Sequence, residues 1–268
     1  MGDVPADISH VVDTVFPELA PLRRTATILR PEPGGPGRAE SSLGGPPLWP
    51  ADDPWPHCAE QGHYFPDSSG DRTPVRPVPM VPVLQVFARD VPELPFPEGR
   101  DLLQVVWCTL LHPADRSESV RPRLYWRTEA EVLAAGVLTD VPAPAVEDIF
   151  DEFLPPPCVL SPVTVHDYPN WGKPEELQGE VLEERMEVFA ERTGRDYTDA
   201  ACALETKIGG YPAWSQPPDW PDCPRGHRME HLASVTADHG MDMGDLGGVY
   251  LFVCRRCPDL PSAHRYDC

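Results

Sequence analysis

The chain has 268 residues, 41% hydrophobic and 24% charged, enough to bury one core of ordinary size or two small ones. Its 36 prolines and 20 glycines argue for many turns and short strands, and against a long helical bundle. The formal net charge of −21 opposes binding to nucleic acid or anionic membranes, which attract basic patches, and suits a cationic partner while also serving solubility. No apolar run reaches the length of a membrane span. The opening stretch MGDVPADISH lacks both the basic and the apolar region of a secretory leader, so a cytoplasmic address is expected. There, eight cysteines are more often free or metal-bound than bridged.

In chain order, residues 1–42 hold a short helical pattern, Ile8, Val11, Val12, Val15 and Phe16. A β-like run, TATILR, and a turn-rich linker, PEPGGPGRAESS, follow it. Residues 43–120 form a first β repeat and residues 205–268 a second. GGPPLWPADDPWPHC (Gly44 to Cys58) and GGYPAWSQPPDWPDC (Gly209 to Cys223) share seven of fifteen positions in register. MVPVLQVFA from Met80 then parallels MEHLASVTA from Met229, and LLQVVWC ending at Cys108 parallels GVYLFVC ending at Cys254. These apolar, β-branched and aromatic runs read as buried strands. The first copy carries an insertion, AEQGHYFPDSSGDRTPVRPVP, between its cysteine and its methionine. The expected fold is mainly β, a β-rich α+β body of two pseudo-symmetric units with a helical segment between them.

That segment spans residues 121–204. TEAEVLAAG offers Thr128 as N-cap, Glu131 to complete a capping box and Gly136 as the stop. VEDIFDEF suggests a second short helix. A longer one is expected from Pro174 to Gly194, with Leu177, Val181, Leu182, Arg185 and Phe189 on one face and seven glutamates over much of the rest. The glutamates read as a solvated face, or else as a surface for a cationic partner.

Each repeat opens with paired glycines, a proline and two tryptophans. Trp49, Trp55, Trp214 and Trp220 read as pillars of the repeat cores, which small β units need, with exposed partner-binding anchors as the alternative. Each arm closes on a thiol. Cys223 with His227, and Cys254 with Cys257, have the short spacings that let two tight turns meet one ion in the tetrahedron zinc prefers. Cys58 with His63, and Cys108 with His112, form a looser parallel set, with His57 a competing ligand. One or two structural zinc ions are therefore expected, holding units too small to supply a large core of their own. Cys158, Cys202 and Cys268 have no partner by spacing.

The segments LGGPPLWP, WPHC, PMVPVLQVFA and LLQVVWC, with IGGYPAWSQ, WPDC and GDLGGVYLFVC, resemble the bacterial YwqG-like family over residues 43–113 and 205–258. The resemblance implies a mainly β fold of duplicated units and brings no catalytic residues. The first copy is also similar, more distantly, to the eukaryotic programmed cell death 2 family. That similarity implies a chaperone-like role toward a basic client, and the YwqG-like kinship a toxin-immunity or accessory role.

Motifs of the common enzyme classes are absent from the sequence: no GxSxG elbow, no HExxH helix, no phosphate-binding glycine loop. A Cys58–His57 or Cys58–His63 nucleophile pair lacks an orienting third group. The polar stretches around His166 and His239 read as turns. The expectation is a non-catalytic acidic module holding a cationic protein client; an enzyme with its site between the repeats is the alternative.

Overall fold

The computed structural model describes residues 8–66, 70–74, 77–113, 119–170, 179–237, 240–244 and 247–268. Pro174, Leu177 and His239 lie outside them. Among the described residues the protein is mainly β, with two six-stranded antiparallel sheets and one small hairpin.

The first half of the chain contributes β1 (Arg24–Ile28), β2 (Pro31–Pro33), β3 (Ser42–Leu43), β4 (His57–Cys58), β5 (Val78–Pro79), β6 (Val81–Phe87), β7 (Leu102–His112) and β8 (Ser119–Arg127). The second half contributes β9 (Cys158–Leu160), β10 (Val163–Asp167), β11 (Lys207–Gly209), β12 (Glu230–Thr236), β13 (Gly248–Val253) and β14 (Ser262–Asp267). The sheets run β2-β9-β3-β6-β7-β8 and β10-β1-β11-β12-β13-β14, and β4 pairs with β5.

Aligned on the repeat, these two orders are the same order. Ser42 pairs with Gln85 as Lys207 pairs with Ser234, and Leu43 with Leu84 as Ile208 with Ala233. The ladder slips between Pro82 and Leu84 in the first copy and between His231 and Ala233 in the second, so both carry a bulge at the same repeat position. The equivalence reaches further back than the tryptophan arms. β1 lies in the second repeat's sheet, between β10 and β11, and β9 lies in the first repeat's sheet, between β2 and β3. Each half of the chain thus lends a strand to the other half's sheet. The stretch expected as a linker contains β2, whose prolines suit an edge strand, where a missing N–H leaves no ladder bond unmade.

The sheets face each other across one apolar core. Leu103, Val105 and Trp107 of β7 meet it from one side and Val249, Leu251 and Val253 of β13 from the other. Burying each such side chain stabilises the fold by roughly 1.5–3 kcal/mol. Trp107 also donates its indole N–H to the Phe153 carbonyl at 2.7 Å, so its burial leaves no orphan donor. The seam between the repeats is therefore filled by side chains. Both central strands are buried on their outer faces as well, and the tryptophan arms are what cover them.

The helices form a separate layer. α1 (Ile8–Val15), α3 (Glu180–Thr193) and α4 (Tyr197–Ala201) share a cluster around Phe16, Phe189 and Tyr197. α2 (Glu129–Ala135) has the expected capping box: Thr128 Oγ1 accepts from Glu131 N at 3.0 Å, and Glu131 accepts from Thr128 N. VEDIFDEF forms two 3₁₀ turns, Val146–Asp148 and Asp151–Phe153, not one helix. No helix among the described residues is long and apolar enough to cross a membrane.

Candidate metal centres

Each arm begins at a glycine that no other residue could replace. Gly44 has φ +60, and a Cβ there would lie 2.3 Å from the Pro155 carbonyl oxygen. Its counterpart Gly209 has φ +74, and a Cβ there would lie 3.0 Å from the Thr25 carbonyl oxygen; at the next residue, Gly210, φ is +65 and a Cβ would lie 2.1 Å from Asp167 Oδ2. A left-handed backbone and close approach to a neighbouring segment both exclude side chains here. The arm then crosses the outer face of its sheet. The Trp-Pro pair locks it down identically in both copies: Met80 N donates to the Pro56 carbonyl at 3.0 Å, and Met229 N to the Pro221 carbonyl at 3.0 Å. Trp55 adds an indole bond to the Met80 carbonyl at 2.8 Å.

Trp49, Trp55 and Trp214 are buried and Trp220 is half-buried. The reading of these four as exposed anchors is corrected for the first three. They pack on aromatic neighbours, Trp49 on Trp55 and Tyr125, and Trp214 on Tyr250 and Phe252.

This lock brings the closing thiols over the outward-facing cysteines of the central strands. In the second repeat, Cys223 and His227 occupy one tight turn, in which Cys223 N donates to the His227 carbonyl and Gly226 N to the Cys223 carbonyl, both at 2.8 Å. His227 N also reaches Cys223 Sγ at 3.4 Å. Cys254 and Cys257 lie in the turn between β13 and β14, where Cys254 N donates to the Pro261 carbonyl. The ligand atoms converge. Cys257 Sγ is 3.9 Å from Cys223 Sγ, 3.6 Å from Cys254 Sγ and 3.4 Å from His227 Nδ1, and Cys254 Sγ is 3.7 Å from His227 Nδ1. A tetrahedron with metal–sulfur bonds near 2.3 Å and metal–nitrogen bonds near 2.0–2.1 Å has edges of about 3.4–3.8 Å. The four distances given lie close to such edges.

In the first repeat, Cys58 of β4 meets Cys108 and His112 of β7 and His63 of the following loop. Cys58 Sγ is 3.3 Å from His112 Nε2, and Cys108 Sγ is 3.8 Å from His63 Nδ1. The β7–β8 ladder shifts register between Cys108 and His112. His112 Nδ1 lies 2.9 Å from the Ser119 carbonyl, which suits the tautomer in which Nδ1–H donates to that oxygen and leaves Nε2 as the ligand atom. The sequence carries no mark of Ser119, because a backbone acceptor has no side-chain signature. All four groups are buried. Without a cation they cannot all take their ligand forms. The hydrogen bond between the two thiols pulls Cys58 down, while that same bond and burial push Cys108 up. Two close thiols then share one proton.

In both clusters the four ligand atoms lie within 4.8 Å of one another, so each could hold a metal ion. Among the described residues these are the groups of three or more such side chains that converge this way. His57 stays out. It is exposed, with Nδ1 2.8 Å from the Trp55 carbonyl, so it neither competes as a ligand nor serves the fully buried Cys58 as a base. Cys158 is buried on β9, Cys202 is half-buried and Cys268 is exposed, and none joins a cluster.

The domain family described as "Domain of unknown function (DUF1963)" matches residues 41–260. That span covers both arms and all eight converging side chains. No curated protein matches the chain.

Proposed function

The chain belongs to the DUF1963 family, and we propose that it is a non-catalytic acidic binding module whose two repeats are each pinned by a structural zinc ion. The observation that carries this reading is ligand closure. Each cluster offers four protein ligands whose donor atoms lie within 4.8 Å of one another, and an ion held tetrahedrally by all four would keep no coordination position for water or substrate. The sulfur-rich donor sets, Cys₃His and Cys₂His₂, suit zinc. Zinc would supply a cross-link there: one ion ties the end of a tryptophan arm to the central strand it covers. The YwqG-like kinship read from the arms belongs to the same proposal.

The partner we assign is a basic protein segment, such as a toxin domain or a nascent basic polypeptide. The net charge of −21 supports it, as does the exposed glutamate face of α3. α3 turns Phe189 inward while Glu180, Glu183, Glu184, Glu187 and Glu191 stay exposed. Glutamates on an outward face attract cations at long range and set the rate and salt dependence of association more than its final affinity.

The test uses the purified full chain with an arginine-rich peptide and a glutamate-rich peptide of the same length. The arginine-rich peptide should bind, and more weakly by about tenfold or more between 50 and 300 mM salt, as screening shortens from roughly 14 Å to 6 Å. Glu183→Gln/Glu184→Gln/Glu187→Gln should weaken it further. Equal binding of both peptides, indifferent to salt, would sink the proposal.

A further inference from the structure

A cleft of about 320 Å³, lined by no residue of either cluster, opens where α1, α4, β1 and β10 meet. Such a volume falls at the lower end of small-ligand sites. Ile28, Val165 and Ala203 supply an apolar lining. Polar groups come from distant parts of the chain: Ser9 of α1, His166 of β10, Arg30 just beyond β1, and Arg195 and Asp199 around α4. Ser9 Oγ and His166 Nδ1 are joined at 2.6 Å.

The charges here are kept apart. In this helical layer Arg23 meets Asp13 at 3.2 Å and Arg185 meets Glu18 at 2.6 Å. Among the described residues Arg30 forms no hydrogen bond or ion pair, and the Arg195 guanidinium bonds only the backbone carbonyl of Asp199. Asp199 and Glu205 line the same cleft, and neither carboxylate is in an ion pair with a described residue. Four exposed charges, two of each sign, thus border one cavity with no ion pair among them.

Arg30 adds a second observation. Its φ of +45 is left-handed, a conformation that side-chain-bearing residues adopt at a cost and glycine adopts freely. The fold alone would be served better by glycine. Leu260 shares that φ, so the conformation alone assigns no role; what Arg30 adds is a guanidinium in the lining of the cleft.

We propose that this cleft binds a free α-amino acid with an apolar side chain. Its carboxylate would meet Arg30 and Arg195, its ammonium Asp199 and Glu205, and its side chain the wall formed by Ile28, Val165 and Ala203. A ligand carrying both charges would match both signs that border the cleft, whereas a simple anion would leave the two carboxylates facing it.

The experiment is calorimetric titration of the full chain with L-leucine, with 4-methylpentanoate, which lacks the ammonium, and with isoamylamine, which lacks the carboxylate. Leucine should bind, and each one-charge analogue should bind at least about tenfold more weakly, the loss expected for an unmatched charged group. Arg30→Gly should lower leucine affinity by a similar factor while leaving the thermal midpoint unchanged or raised, since the backbone strain is released. Glu205→Gln should weaken leucine but not 4-methylpentanoate. Absence of leucine binding at millimolar concentration overturns the proposal. So does 4-methylpentanoate binding as tightly as leucine, or an Arg30→Gly variant that folds and binds leucine unchanged.

Discussion

Asp167 and Lys207 form an ion pair that solvent does not reach: both side chains are 1% exposed and Nζ lies 2.8 Å from Oδ2. The carboxylate is otherwise satisfied by Ala203 N on Oδ1 and Tyr211 N on Oδ2, both at 2.8 Å, and the ammonium also donates to the Ala203 carbonyl. At 2.8 Å and an effective dielectric constant near 20, the attraction is about 6 kcal/mol, most of which offsets the loss of water around both ions. Removing one partner is a different matter, because the other stays buried and charged. Lys207→Met or Asp167→Asn should each lower unfolding stability by about 3–5 kcal/mol. The domain as a whole holds only about 5–15 kcal/mol, so either variant should be conspicuous in urea denaturation at fixed metal content. The double variant should recover at least about 2 kcal/mol relative to the sum of the singles, since it leaves no orphaned charge. A Lys207→Met cost below about 1 kcal/mol, or full additivity in the double variant, would refute the reasoning.

Close by, His231 is held neutral. Burial, and after it the Lys207 charge, depresses it from 6.5 to about 3, with Nδ1 3.0 Å from the Gly209 carbonyl and Nε2 3.1 Å from Ser234 Oγ. The unfolded chain therefore binds the extra proton first. His231 should lower stability by up to about 1.4 kcal/mol per pH unit as pH falls from 6.5 toward 3, and have no effect above that range. Denaturation across that range should show a shallower slope in His231→Gln, and an unchanged slope would contradict the neutral assignment. Trp49, with no exposed surface, should cost about 3–5 kcal/mol on truncation to alanine, and half-buried Trp220 clearly less. Equal thermal shifts for the two would argue against the pillar role. Thr128→Ala removes the α2 cap and should cost about 1 kcal/mol, read as a small drop in thermal midpoint.

The duplication was legible because covalent chemistry and sterics leave marks in the sequence. Gly44 and Gly209 hold the same repeat position and both have a left-handed backbone, and Cys223, His227, Cys254 and Cys257 fall at the spacing of two tight turns. The exchange of β1 and β9 was not legible. β9 is three residues long, and pairing between strands more than a hundred residues apart is fixed by the sheet as a whole, not by the run itself. The edge strands β8 and β14 escaped for another reason. SVRPRLYWR and SAHRYD are mixed in polarity because each lies at the rim of a sheet. The buried Asp167–Lys207 pair is likewise invisible, since neither residue type advertises burial. The cleft around Arg30 was missed because its groups come from four separate elements.

Elemental analysis of the purified full chain bears most directly on the central claim. With two closed clusters, the account predicts about two zinc ions per chain, falling to about one in either Cys108→Ser or Cys257→Ser. A metal-free preparation that keeps its folded spectrum and cooperative unfolding would contradict it.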